Sequence, residues 1–192
     1  MNEITTAFID RDGTINVDNG YIGDPDHIEM IPGAADAIKR LNDAGCRVII
    51  LTNQSGVARG YFSTDVVDAV NGRVIELVER SGGKIDDVFY CPHFPEGKVE
   101  KYSRKCDCRK PGTGLIRQAM DKHRIIKMAD SVVIGDKVTD VKLGQSVGAA
   151  TVMVATGHGV EEKKKIEDDG LAPADFYAAN LPEAVDHLLN QK

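Results

Sequence analysis

Short apolar runs alternate with amphipathic stretches along the chain, and the two patterns predict different elements. Thr6-Ala7-Phe8-Ile9 is an apolar run that stops at Asp10. After Pro32-Gly33, Ala34, Ala37, Ile38 and Leu41 recur at helical spacing until Gly45 ends the pattern. Arg47-Val48-Ile49-Ile50-Leu51 is rich in β-branched residues and predicts a buried strand. Ser63 or Thr64 can cap a long helix carrying Val66, Val67, Val70, Val74, Ile75 and Val78, which Gly82-Gly83 ends. Val88-Phe89-Tyr90, Ser131-Val132-Val133-Ile134 and Ala150-Thr151-Val152-Met153-Val154 predict three more strands. Helices are predicted around Leu115, Ile116 and Ala119, across Val141, Leu143 and Val147, and from Pro182 to Leu189.

Buried strands that are each followed by a helix imply βαβ units and a parallel sheet covered on both faces. The expected fold is α/β: a doubly wound, Rossmann-like, mostly parallel sheet of about five or six strands. A length of 192 residues fits a single domain over 1–192. The segments between the strands hold a helix each, with no room for a large cap domain.

Composition narrows the class. Hydrophobic residues make up 42% and charged residues 28%, which excludes collagen-like and disordered chains. A net charge of −6 argues against a nucleic-acid partner, which calls for a basic face. The longest apolar run, Val48-Ile49-Ile50-Leu51, is far too short to span a membrane. Met1-Asn2-Glu3-Ile4-Thr5-Thr6 lacks the basic region of a signal peptide, so a cytoplasmic protein with reduced thiols is expected. No long exposed apolar helix face is evident, which favours a monomer. The Glu161-Glu162-Lys163-Lys164-Lys165 run reads as a solvated surface.

Ligands of such sheets bind beyond the carboxyl ends of the strands. The chain places Asp10-Arg11-Asp12-Gly13-Thr14 there, then Thr52-Asn53-Gln54-Ser55, then Gly135-Asp136-Lys137-Val138-Thr139-Asp140. Each alone reads as an ordinary turn, and Lys110 alone as a surface lysine. Together they bring carboxylates, a lysine and a hydroxyl to one sheet edge. Clustered carboxylates repel one another and call for a cation. Oxygen ligands without histidine suit Mg²⁺, which keeps waters and takes a substrate phosphate. Lys110 and Thr52 would then meet the phosphoryl oxygens.

Four strings carry a resemblance to a known group: Phe8-Ile9-Asp10-Arg11-Asp12-Gly13-Thr14, Leu51-Thr52-Asn53, Arg109-Lys110-Pro111, and Gly135-Asp136 with Asp140. In this order they resemble the motifs of haloacid dehalogenase (HAD) superfamily phosphatases. Asp18 with Gly20-Tyr21, Gln54-Ser55-Gly56, Ala58-Arg59-Gly60, Tyr90-Cys91-Pro92-His93 and Cys106-Asp107-Cys108 resemble, more narrowly, the heptose 1,7-bisphosphate 7-phosphatase family. The resemblance implies removal of the 7-phosphate in nucleotide-activated heptose biosynthesis. It implies Asp10 as nucleophile, Asp12 as acid and base, and Thr52 and Lys110 on the phosphoryl oxygens. It implies Mg²⁺ on the Asp10 side chain, the Asp12 carbonyl and Asp136, and Asp140 orienting Lys110 or the metal's waters. Sugar and second phosphate would fall to Asp18, Asn19, Gly20, Tyr21, Asn53, Gln54, Ser55, Arg109 and Lys137. The chain departs from the pattern at Gly112-Thr113-Gly114, where a His-Pro pair and a glycine are expected.

Cys91, His93, Cys106 and Cys108 offer three thiolates and an imidazole, a complete tetrahedral Zn²⁺ set. With no position left for water the zinc would be structural, pinning the loop within 91–108 and placing Arg109 and Lys110. Cys46 reads as a buried free thiol. His158 can approach the site edge, while His27, His123 and His187 read as surface or packing residues. Tyr61, Phe62 and Phe176 read as core.

Other functions fit part of the pattern. A histidinol-phosphate phosphatase shares the fold and a similar zinc loop. A phospho-acceptor signalling domain also combines acidic residues, Mg²⁺, a Thr and a Lys, but Asp12 would discharge the acyl phosphate it must keep. A zinc-stabilised binding domain would not need Asp10, Asp12, Lys110 and Asp136. A cap-free site walled by residues 18–21, Arg59 and the zinc loop would be selective by orientation rather than enclosure.

Overall fold

A computed structural model describes residues 4–190. The apolar runs form strands β1 (Thr6–Ile9), β2 (Arg47–Asn53), β3 (Asp87–Cys91), β4 (Ser131–Gly135), β5 (Ala150–Val154) and β6 (Phe176–Ala178). Between and after them lie helices α1 (Ala34–Asp43), α2 (Gly56–Arg59), α3 (Thr64–Arg80), α4 (Gly114–Lys122), α5 (Val138–Val147), α6 (Gly159–Asp168) and α7 (Leu181–Leu189). The strands pair in parallel in the order β3-β2-β1-β4-β5-β6.

The period-two alternation of side chains divides each strand between two cores. Ala7 and Ile9 of β1, Val48 and Ile50 of β2, and Val132 and Ile134 of β4 pack with Ile38 of α1, Val74 of α3 and Val185 of α7. Phe8, Ile49, Leu51 and Val133 point the other way, against Leu115, Ile116 and Ala119 of α4 and Leu143 of α5. Such two-sided burial explains why the strands read as continuous apolar runs. Helix α3 starts where expected, with the Ser63 hydroxyl accepting from the Val66 N–H at 3.4 Å.

The strand order matters for function. The chain leaves β1 towards β2 and β3, then returns to lay β4 on β1's other side. The direction of winding reverses there, opening a crevice beyond the carboxyl ends of β1 and β4. No inserted domain covers it among the described residues: β1 to β2 holds a turn of 3-10 helix and α1, and β2 to β3 holds α2 and α3.

Several expectations are adjusted. Strand β2 continues through Thr52 and Asn53 because they pair with Tyr90 and Cys91, a constraint that apolarity alone does not reveal. The Glu161–Lys165 run lies on α6, whose Gly159 and Ile166 are its buried positions. Strand β6 and helix α2 are too short to give a periodic signal. Tyr61 is not core: it is 56% exposed, its ring edge-on to Tyr21 at 4.7 Å, while Phe62 and Phe176 are half-buried. Among the described residues no helix is long and apolar enough to cross a membrane. The leader reading rests partly on Met1, Asn2 and Glu3, which lie outside the described residues.

Candidate active site

Strand β1 ends as Asp10 passes its N–H to the Ile134 carbonyl at 2.8 Å, so the carboxylate emerges beside the end of β4. Asp136 follows β4, and Asp140 lies one turn into α5. Asp10, Asp136 and Asp140 are 6%, 0% and 2% exposed, and one oxygen of each lies within 4.8 Å of the others. Burial, and then the Asp10 charge, push Asp136 up to about 7. Burial pushes Asp140 up to about 6, against the pull of Lys110.

The Asp136 carboxylate is tightly wrapped. Its Oδ2 accepts the His158 N–H at 2.8 Å, while its buried Oδ1 has no hydrogen-bond partner. A Cβ at Gly13 (φ +83°) or Gly157 (φ +59°) would collide with it, so glycine is required at both. Three convergent carboxylates, an orphaned buried oxygen and no histidine nitrogen among the clustered ligand atoms fit a hard divalent cation such as Mg²⁺.

Lys110 is the cluster's internal counter-charge. Its Nζ lies 2.9 Å from Asp10 Oδ1 and 2.6 Å from Asp140 Oδ1, and donates to the Leu51 carbonyl at 2.7 Å. Burial opposes its charge, but the two carboxylates more than offset this and hold its pKa above the usual lysine range. Asn53 fixes the backbone beneath it: Asn53 Oδ1 accepts the Lys110 N–H at 3.0 Å and Asn53 Nδ2 donates to the Lys110 carbonyl at 3.2 Å. The Lys110–Pro111 peptide is cis.

Asp12 has a separate set of partners. Arg11 donates from Nε to Oδ1 at 3.0 Å and from Nη2 to Oδ2 at 2.9 Å. Asn16 Nδ2 donates to Oδ1 at 3.0 Å, and Gln54 Nε2 to Oδ2 at 2.8 Å. Gln54 Nε2 also lies 2.9 Å from Thr52 Oγ1, linking the second motif to the first. Burial raises the Asp12 pKa, but Arg11 and these donors outweigh it and hold the group below the usual carboxylate range.

Above these groups lies an open cavity of about 600 Å³, whose lining includes Asp12, Asn53, Gln54, Ser55, Arg109 and Lys110. Asp18, Gly20, Tyr21 and Lys137 complete the expected substrate wall, together with His158, Thr139 and Pro111. Asn19 is exposed and does not line it. Asp10, Thr52 and Asp136 sit one contact behind, on Lys110, Gln54 and Lys137. Asp18 is already engaged: Oδ2 lies 3.0 Å from Lys137 Nζ and 3.3 Å from His158 Nε2, and Oδ1 accepts the Gly20 N–H. Burial opposes the Lys137 charge, yet Asp10, Asp136 and Asp18 raise its pKa well above the usual range.

Cys91 closes β3, and His93, Cys106 and Cys108 fold back onto it. Their ligand atoms lie 3.2 to 3.7 Å apart along five edges. These approach the ~3.8 Å S···S edge that follows from a Zn–S bond of about 2.3 Å in a tetrahedron. All three cysteines are free thiols. Burial, then the Cys108 contact, push the Cys91 thiol far up, a crowding that a zinc ion would reverse. Burial and Arg104 push the His93 pKa down, leaving the neutral ring a metal requires. The set fits structural zinc.

Sequence reasoning passed over Asn71, Thr156 and the tie between Arg11 and Asp12. Asn71 had a signal: it is a polar residue within the apolar stripe Val67, Val70, Val74, Val78 of α3. Thr156 donates from Oγ1 to the Gly13 carbonyl at 2.6 Å and had none, because its partner is 143 residues away.

Comparison with known proteins agrees with this architecture. Residues 7–70 match the model of the haloacid dehalogenase-like hydrolases, and residues 107–184 that described as HAD-hydrolase-like. A protein of Haemophilus ducreyi named D-glycero-beta-D-manno-heptose-1,7-bisphosphate 7-phosphatase is 40% identical, over 95% of this chain and 97% of its own. The chain belongs to the HAD-like hydrolase family. A protein of the same name from Escherichia coli strain K12 is 36% identical, over 95% of this chain and 94% of its own. The D,D-heptose 1,7-bisphosphate phosphatase of B. bronchiseptica, complexed with magnesium and phosphate, superposes with a TM-score of 0.86 at 30% identity, covering 98% of this chain and all of that one.

Two outcomes are expected of the HAD-like protein. Without a divalent cation, the stability that Asp136 and Asp140 contribute is lost as pH rises from about 4 to 7, because the folded state binds more protons at these two groups than the unfolded chain does. Added Mg²⁺ therefore raises Tm more at pH 8 than at pH 5; an equal rise at both would count against a carboxylate site. Elemental analysis should also find one zinc per chain. Cys106→Ser should lose it and lower Tm, whereas a chain purified without zinc at undiminished Tm would refute the structural ion.

Proposed function

We propose that the protein is a Mg²⁺-dependent phosphomonoester hydrolase that removes the 7-phosphate of D-glycero-β-D-manno-heptose 1,7-bisphosphate. The observation that carries the reading is the convergence of Asp10, Asp136, Asp140 and Lys110 at the switch point, with Asp12 beside them in the cavity wall. The names of the relatives supply the substrate and its anomer.

In this reading the Asp10 carboxylate attacks phosphorus, forming a P–O bond as the bond to the sugar oxygen breaks. Asp12 gives that oxygen its proton, then takes one from the water that attacks the aspartyl phosphate, freeing Asp10 and inorganic phosphate. The donors around Asp12 keep it ionised at rest; a dianionic phosphoryl group arriving beside it raises its pKa, and the carboxylate takes up the proton from solvent that it then gives to the sugar oxygen. Mg²⁺, held by Asp10, the Asp12 carbonyl and Asp136, would offset phosphoryl charge. Thr52 and Lys110 hold phosphoryl oxygens, and Asp140 keeps Lys110 in place. Arg109, Lys137, Asp18, Gly20, Tyr21 and residues 53–55 receive the sugar and its second phosphate.

We place the enzyme in the cytoplasm as a monomer of one domain, acting on a small sugar phosphate, with no nucleic-acid or membrane partner. The charge of −6 supports the absence of a nucleic-acid partner.

Phosphate release with Mg²⁺ from both anomers of heptose 1,7-bisphosphate, fructose 1,6-bisphosphate and histidinol phosphate tests the reading. The β-heptose should be turned over best. Asp10→Asn should lower its turnover by about a thousandfold or more. Preference for histidinol phosphate would move the enzyme to another substrate, and a stable phosphoprotein would indicate signalling.

A further inference from the structure

Arg11 and Asn71 are buried polar side chains to which the catalytic cycle gives no part. Arg11 is 1% exposed and Asn71 5%. The guanidinium makes a two-pronged contact with both oxygens of Asp12, at 3.0 and 2.9 Å. Its remaining terminal nitrogen, Nη1, donates to Asn71 Oδ1 at 2.7 Å. Asn71 lies on α3, sixty residues away in sequence, on a face otherwise made of valines.

A buried amide among valines is costly unless its hydrogen bonds are made. An ion pair between chain neighbours closes no loop, so it does little to hold the fold together. What the fork does is fix orientation. A planar guanidinium gripping both carboxylate oxygens leaves that carboxylate one rotation, and Asn71 in turn fixes the plane of the guanidinium to a rigid helix.

We propose that Arg11 and Asn71 are a positioning pair that aims the Asp12 carboxylate at the leaving-group oxygen. The inference rests on the reading of Asp12 as acid and base given above. The pair is specific to the proton transfer. Among the described residues it makes no direct hydrogen bond or ion pair to Lys110 or the Asp136 carboxylate; its link to Thr52 runs indirectly through Asp12 and Gln54, and its link to Asp10 is the Arg11 backbone N–H, which a side-chain substitution leaves in place.

The distinguishing property is the leaving group. A sugar alkoxide needs a proton as it departs, whereas p-nitrophenolate leaves without one. Single-turnover phosphorylation of the full-length enzyme with Mg²⁺ is therefore compared for heptose 1,7-bisphosphate and p-nitrophenyl phosphate. Asn71→Ala and Arg11→Lys should each slow transfer from the sugar about tenfold or more, within the ~10²–10⁴ contributed by a general acid. Transfer from the aryl ester should stay within about twofold of wild type, and Asn71→Asp, which keeps the acceptor oxygen, should restore most of the sugar rate. Equal losses on both substrates, or no loss on the sugar, would overturn the positioning role. Arg11→Lys decides the matter if Asn71→Ala does not fold. A wild type that transfers from the aryl ester but not the sugar would instead overturn the proposed substrate.

Discussion

Three carboxylates buried side by side at the meeting of two strands set the terms for everything around them. Asp10, Asp136 and Asp140 carry like charges where water cannot screen them, and Lys110 supplies one internal cation that touches only two of the three. Lys137 approaches Asp136 no closer than 3.9 Å. The excess negative charge raises Asp136 and Asp140 and leaves one Asp136 oxygen without a partner. A divalent cation relieves all of these at once, and a bound cation in turn attracts a phosphoryl group. Metal dependence and phosphate affinity thus have one electrostatic origin.

That arrangement requires Lys110 to be held from outside the sheet. All three of its N–H groups have acceptors, so holding a phosphoryl oxygen means giving one up, and Asp10 is the partner whose charge the metal can take over. The backbone of Lys110 stays put through this exchange because Asn53 grips both its N–H and its carbonyl. Cys106 and Cys108 lie immediately upstream. Zinc among them would fix the approach of the segment, and Arg109 leans on Phe94, 5.2 Å from the ring centre, next to His93. With zinc bound, the loop would do for Lys110 and Arg109 what a hydrophobic core does for a helix, removing freedom that the proposed substrate binding would otherwise have to remove.

The parts of this picture that were legible in the chain are those that local pattern encodes. Strands buried on two faces show as apolar runs, so the sheet and the location of its carboxyl ends could be read from β1, β2, β4 and β5. The motif carboxylates, Lys110 and the four zinc ligands could be placed because their spacing is short and their chemistry distinctive. Thr52 and Asn53 were assigned to a loop, since only pairing with β3 reveals them as strand. Asn53, expected at the substrate, lines the cavity and also grips the backbone of Lys110. Asp18, likewise expected at the sugar, lines the cavity and also bridges Lys137 and His158. In each case the deciding partner lies far away in sequence, and residue type gives no indication of which acceptor a polar side chain will find. Tyr61 was misjudged for a related reason: an aromatic ring at a cavity rim looks, in sequence, like one bound for the core.

With no cap among the described residues, selectivity depends on these occupied side chains. An open cavity excludes little water, so the site must recognise its substrate by placing charges rather than by enclosing it. Arg109 and Lys137 are among the cations lining the wall, and Lys137 is held by Asp18 until something more anionic arrives. A second phosphate on the substrate can displace that carboxylate, whereas a neutral or cationic group cannot. On the proposed reading, the Asp18 bridge imposes a cost that a doubly anionic ligand offsets more readily, which favours a bisphosphate over a monophosphate carrying an amine.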